Sequence, residues 1–152
     1  MTDGTGGRSL NDLLCKGKVD TLNLLKVVLR FMVGSYAQTG DLQQFYYSLR
    51  LLPEDFNLVR FLYSPDLDSE ADPQDAVFRA MIFGVKSASA LSEQGKLLTA
   101  EHCRAKYPAV ATMIEESTYV DDLGESKATL KEINQLEEDA DKVFGEATTE
   151  KH

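Results

Sequence analysis

Two adjacent carboxylates, Asp121 and Asp122, follow the run Ser117-Thr118-Tyr119-Val120 and precede Leu123-Gly124. β-Branched and aromatic residues fit a pleated strand, and a glycine beside paired Asp favours a tight reversal of the chain. The stretch therefore predicts a hairpin carrying both carboxylates at its tip. Carboxylate oxygens are ligands for hard divalent cations such as Mg²⁺. A third carboxylate stands in a comparable setting upstream, where Asp41 ends the segment Ser35-Tyr36-Ala37-Gln38-Thr39-Gly40-Asp41. If these strands lie side by side, three carboxylates meet in a set suited to two-metal phosphoryl transfer. If they lie apart, Asp121-Asp122 makes only a turn and Asp41 only a cap.

Length and composition set the bounds. A chain of 152 residues with 43% hydrophobic content suits one ordinary domain with a core. No uncharged apolar run reaches the roughly 18 residues of a membrane span, so none is expected. The start, Met1-Thr2-Asp3-Gly4-Thr5-Gly6-Gly7, lacks the pattern of a signal peptide. Cys15 and Cys103 stand far apart in helical surroundings and predict two reduced, buried thiols of an intracellular protein. Neither His102 nor His152 has zinc-ligand spacing with them. A net charge of −9 argues against autonomous nucleic-acid binding, which draws on Lys and Arg. The acid is concentrated in two places. Residues 54–75 hold seven acidic residues and one basic, Arg60, and residues 121–152 hold ten acidic and four basic.

The expected elements follow from capping and periodicity. Ser9 and Asp12 have the spacing of a capping box, and Lys16-Gly17-Lys18 ends that helix. A second helix is expected over Val19 to Met32, with Leu22, Leu25, Val28, Leu29 and Met32 at helical spacing and Gly34 as its C-cap. Ser35 to Asp41 is a short strand. Leu42 to Leu52 suits a helix, although its aromatics also suit a strand. Pro53-Glu54-Asp55 is a turn. Asn57–Tyr63 and Ala76–Phe83 form an antiparallel hairpin across an acidic loop, Ser64 to Asp75. Gly84 stops the second strand. Helices follow over Ser87 to Lys106 and, opened by Pro108, over Ala109 to Glu116. After the carboxylate hairpin, Ser126 N-caps a last helix with Leu130, Ile133, Leu136, Ala140, Val143 and Phe144 on one face. The order predicts an α+β fold: an antiparallel sheet with helices packed on one face, plus N-terminal helices. Residues 1–8 are expected to be a flexible start, 9–144 the domain and 145–152 a frayed polar tail.

Three of these segments stand in the order of a known set of motifs. Asp41-Leu42-Gln43-Gln44-Phe45-Tyr46 resembles the first polymerase motif of reverse transcriptases, an Asp followed five positions later by an aromatic. Phe83-Gly84-Val85-Lys86-Ser87-Ala88 resembles the second, and Tyr119-Val120-Asp121-Asp122 is similar to the third. The flanks Ser9-Leu10-Asn11-Asp12-Leu13-Leu14, Val28-Leu29-Arg30-Phe31, Pro53-Glu54-Asp55 and Arg60-Phe61-Leu62-Tyr63 look like the Bel/Pao group of long-terminal-repeat retrotransposons. The likeness covers residues 9 to 144. It departs where Ala88-Ser89 replaces a Ser-Pro pair. It departs again where Leu123-Gly124-Glu125 is shorter than the usual link to the last helix, and where Phe144-Gly145-Glu146 runs into a polar end.

The resemblance implies a polymerase palm in a Pol polyprotein, with fingers, thumb, RNase H and integrase outside this chain. It implies RNA-directed DNA polymerase activity that the isolated chain lacks without fingers and thumb. Asp41, Asp121 and Asp122 would be the catalytic carboxylates and the ligands of two Mg²⁺ ions, with Mn²⁺ able to substitute. Tyr46 would lie under the sugar of the incoming nucleotide and Tyr119 near the primer terminus. Gly84 would let the backbone approach the nucleotide, and Lys86 would touch template phosphate. Leu42 and Gln43, with Gln44, would turn backbone amides to the triphosphate. The implied partners are an RNA or DNA template, a primer and deoxynucleoside triphosphates. The location implied is intracellular, in a cytoplasmic particle or the nucleus, and the oligomeric state is left open. The alternative is an inactive retroelement-derived acidic domain acting as a protein-interaction module.

Overall fold

Proline and capping residues set most of the helix starts in a computed structural model that describes residues 7–19, 21–42, 45–64 and 72–148. The elements run α1 (Leu10–Leu13), α2 (Leu24–Phe31), β1 (Tyr36–Asp41), α3 (Phe45–Ser48), a 3-10 helix (Pro53–Val59), β2 (Arg60–Tyr63) and β3 (Gln74–Val77), and then α4 (Ala88–Cys103), α5 (Pro108–Glu116), β4 (Thr118–Tyr119), β5 (Asp122–Lys127) and α6 (Leu130–Thr148). The chain is α+β with antiparallel sheets, as the sequence predicts. It divides into two units, one from Met1–Gly17 and Tyr46–Ala88, the other from Lys18–Phe45 and Ser89–His152.

The second unit holds the larger core. Pro108 opens α5 at a position where its missing N–H costs nothing. That helix buries Val110, Ala111, Met113 and Ile114 against Ala100 of α4 and Ile133, Leu136 and Val143 of α6. The last three are part of the apolar face expected of the final helix, whereas Leu130 is exposed. The sheet order is β1-β5-β4, so β5 is central, and α2, α5 and α6 all touch it.

Several expectations fail here for local reasons. The final helix is not capped by Ser126, which lies within β5. Thr129 caps it instead: its Oγ1 accepts from the Glu132 N–H, while the Glu132 carboxylate accepts from the Thr129 N–H at 3.0 Å. Gly124 also lies within β5, beyond the turn. The helix continues to Thr148, past the expected start of a polar tail.

Helix α2 is shorter than expected, because Asn23 caps it by accepting from the Leu25 N–H at 2.9 Å. Its apolar periodicity predicts a buried face. Val27 is its only buried residue, and Leu25, Leu29 and Met32 are more than half exposed. Gly34 is not a left-handed C-cap. A Cβ there would stand 2.5 Å from the Lys127 backbone nitrogen, so the glycine serves close approach of two backbones.

The first unit relies more on polar links. The Ser9–Asp12 capping box is present, with the Ser9 N–H and Oγ both donating to the Asp12 carboxylate at 2.8 Å. Strands β2 and β3 pair antiparallel from Arg60↔Val77 to Tyr63↔Gln74. The hairpin is shorter than expected at its start. Pro53 with Glu54 and Asp55 begins a 3-10 helix that takes up Asn57 to Val59. The returning strand is shifted as well. Residues beyond Val77 leave β2 and pair with the segment after α3, through Leu51 N–H to Arg79 C=O at 3.0 Å and Met81 N–H to Leu49 C=O at 2.9 Å. Of the expected acidic loop, Pro65 to Ala71 lie outside the described residues, and Gln74 and Asp75 belong to β3. The ambiguous segment after Leu42 resolves as the one-turn helix α3. Cys15 is exposed rather than buried. Cys103 is half-buried, and burial pushes its thiol upward from the usual cysteine range.

Candidate metal centre

Strand pairing brings the three carboxylates together. β1 runs antiparallel to β5 from Tyr36↔Lys127 to Asp41↔Asp122, so the last residue of one strand faces the first of the other. β4 pairs with β5 through Thr118↔Leu123 and Tyr119↔Asp122. That leaves a two-residue turn, Val120-Asp121. Val120 has φ 58°, the single non-glycine left-handed backbone among the described residues. A positive φ at the first central residue alone is the pattern of a type II′ turn, where glycine is usual. The Asp121 carbonyl accepts from the Leu42 N–H at 3.0 Å, tying the turn to the end of β1.

Asp41, Asp121 and Asp122 each offer an oxygen, all within 4.8 Å of one another. Asp41 and Asp122 are exposed and Asp121 is half-buried. Among the described residues none of their carboxylates has a side-chain hydrogen bond or an ion pair. Like charges at this spacing repel by roughly 1 kcal/mol per pair even in water. A divalent cation reverses the sign of that term. The donor set, all oxygen and anionic, could hold a metal ion.

The hairpin stands on a fully partnered polar layer. Ser117 and Thr118 are buried, and the Thr118 hydroxyl donates to the Met113 carbonyl at 3.1 Å. The buried Glu125 carboxylate accepts from Ser117 Oγ at 2.9 Å and from the Ser126 N–H at 3.0 Å. Lys127 Nζ lies 3.7 Å from it. No buried side-chain nitrogen or oxygen among the described residues lacks a partner.

The other predicted site residues fall as follows. Tyr119 is half-buried opposite Asp122, and Leu42 is the residue bonded to the Asp121 carbonyl. Gln43 and Gln44 lie outside the described residues. Tyr46 and Gly84 belong to the first unit. There Tyr46 packs on Phe83 with centroids 4.7 Å apart. Gly84 has φ +88°, and a Cβ added to it would meet nothing within 4 Å. The Asn11 amide grips this turn from both sides, donating to the Gly84 carbonyl and accepting from the Lys86 N–H, each at 2.7 Å. Sequence reasoning singles out neither Asn11 nor the Ser117–Glu125 pair, because both contacts depend on tertiary placement.

No protein-family model matches this chain, and no curated protein matches it in sequence.

Proposed function

We propose that the chain is the palm of a Bel/Pao-type retrotransposon reverse transcriptase, serving template-directed DNA synthesis by metal-dependent nucleotidyl transfer. The observation that carries this reading is the meeting of Asp41, Asp121 and Asp122 within 4.8 Å, from strands far apart in sequence. Asp41 and Asp121 would hold the metal ions, and Asp122 would serve as an outer ligand keeping negative charge at the same spot. Bound there, Mg²⁺ would lower the pKa of a primer hydroxyl and neutralise charge on a leaving pyrophosphate. Tyr119 would pack near a primer terminus, and the Leu42 backbone would border the triphosphate. Template, primer and deoxynucleoside triphosphates would be the partners, inside the cell, with fingers and thumb supplying further cations to a chain of net charge −9.

The test is calorimetric titration of Mg²⁺ and Mn²⁺ into the purified chain, into Asp41→Asn and into Asp121→Asn. Binding that both substitutions remove, with unchanged circular dichroism, is the expected result. Undiminished binding in either variant takes that residue out of the ligand set. The exposed Leu25, Leu29 and Met32 of α2 favour a second reading, a retroelement-derived acidic domain that docks a protein partner. An intact fold that ignores both cations would support it.

A further inference from the structure

The carboxylate site exists only if β1 keeps its register on β5, and β1 has little of its own to specify that register. It is an edge strand with the sequence Tyr-Ala-Gln-Thr-Gly-Asp, in which only Gln38 is more than marginally covered. Register is ordinarily fixed by an apolar face that must point inward. This strand has no such alternation. A slip of one residue would turn Asp41 to the other face of the sheet, and a slip of two would carry it about 7 Å from Asp122.

The far end of the ladder carries a clamp. Ser126 Oγ accepts from the Gly34 N–H at 2.9 Å and donates to the Arg30 carbonyl at 3.0 Å. One hydroxyl thus adds a bond to the Arg30 carbonyl, which also accepts from the Val33 N–H at 3.1 Å, and ties the end of α2 and the residues just before β1 to β5. Gly34 completes the lock sterically, since any Cβ there would collide with Ser126 and Lys127 backbone at 2.5–2.8 Å. Arg30 is held in turn by its ion pair with Glu116 at the end of α5. At the near end, the Leu42 N–H to Asp121 bond closes the ladder.

We infer that Ser126 and Gly34 are the positioning residues of the carboxylate site: they set the β1–β5 register that places Asp41 opposite Asp122. The inference rests on the metal-site reading for its consequence and on strand pairing for its substance. Ser126 stands four residues from Asp122, about 13 Å along the strand, so it touches no metal.

The experiment compares Ser126→Ala and Ser126→Thr with the parent chain. It reads Mn²⁺ affinity by calorimetry, fold by circular dichroism, and register by cross-strand proton contacts between Gly40 and Leu123 and between Gln38 and Glu125. A folded Ser126→Ala is expected to bind Mn²⁺ roughly 10-fold more weakly, in the range of outer-shell losses, and to show weakened or doubled cross-strand contacts. Ser126→Thr, which keeps the hydroxyl, is expected to restore both. Parent-like affinity and contacts in Ser126→Ala would overturn the inference. So would a folded Ser126→Thr as weak as Ser126→Ala, which would assign the effect to packing. If the parent chain binds no Mn²⁺, the metal reading fails by itself. The cross-strand contacts then decide: altered pairing in Ser126→Ala upholds the register role, and unaltered pairing removes it.

Discussion

Two antiparallel hairpins among the described residues are supported in opposite ways. The β4–β5 hairpin stands on buried Ser117, Thr118 and Glu125, above a core from three helices. The β2–β3 hairpin leaves Leu62 69% and Tyr63 53% exposed, with a stacked Phe61–Phe78 pair and a surface Arg60–Asp75 bridge of 3.1 Å. A two-stranded ribbon with so little burial is marginal alone, and an exposed ion pair adds at most about 1 kcal/mol. The comparison teaches where chemistry can be held. Three repelling carboxylates need a platform whose polar groups are already satisfied, and only the first hairpin provides one.

The largest expected effect breaks the comparison at its base. Ile133 is 4% exposed within the core of the second unit, so Ile133→Ala removes buried methyl groups and leaves a cavity. A loss of about 2–5 kcal/mol is expected. Leu62→Ala in β2 deletes a comparable side chain from an exposed position and is expected to change stability by less than about 0.5 kcal/mol. Urea unfolding followed by far-ultraviolet circular dichroism measures both. Equal losses would show that the two hairpins are supported alike.

A smaller effect sharpens it. Val120 is a β-branched residue in the left-handed region, and strain of this kind persists only where the surroundings dictate the backbone. Neither β2 nor β3 contains such a residue. Asparagine tolerates that conformation far better than valine. Val120→Asn is therefore expected to stabilise the chain by about 1 kcal/mol, read as a higher urea midpoint at unchanged slope. Destabilisation would mean that valine packing outweighs the backbone term.

The same contrast explains what the sequence makes legible. The strand–turn–strand chemistry around Asp121 is local, and so are the Ser9–Asp12 box, Pro108 at the start of α5 and the inward stripe Ile133, Leu136, Val143. The last three can be read directly, and the first as a hairpin whose turn is Val120-Asp121, with Asp122 and Gly124 already in β5 rather than at the tip. The register joining Asp41 to Asp122 is not local, and β1 carries no alternation that reveals it. Ser126 shows how a local signal misleads. A serine shortly before a helix looks like an N-cap, yet Thr129-x-x-Glu132 offers the same signal three residues later. It wins because the Ser126 hydroxyl is engaged by Gly34 and Arg30. Gly34 misleads in the same way, since a glycine after a helix suggests a left-handed cap where the actual constraint is contact with a distant strand. The apolar stripe of α2 is legible as a pattern, but its destination is not.

The smallest expected effect concerns acid. The first unit depends on polar links at its N-terminal end, whereas the helical core of the second around Ile114 is built from apolar side chains. The Ser9 backbone N–H, then its hydroxyl, hold the Asp12 carboxyl below the usual carboxylate range. A depressed folded-state pKa means that the unfolded chain takes up the proton first. The stabilising contribution is therefore fully present above the ordinary carboxylate value and is lost as pH falls through the lowered folded-state value. Losing the box should fray α1, which has only four residues and supplies Asn11, whose amide holds the Gly84 turn. The protection of the Lys86 amide, its exchange rate relative to the intrinsic rate at each pH, is expected to fall as the solution is acidified through that window, while protection at Ile114 in the core of the second unit stays high. Asp12→Asn, which retains an acceptor but no charge, should flatten the pH dependence at Lys86. If Lys86 and Ile114 respond to acid together, the two units open as one and the contrast between polar and apolar support fails.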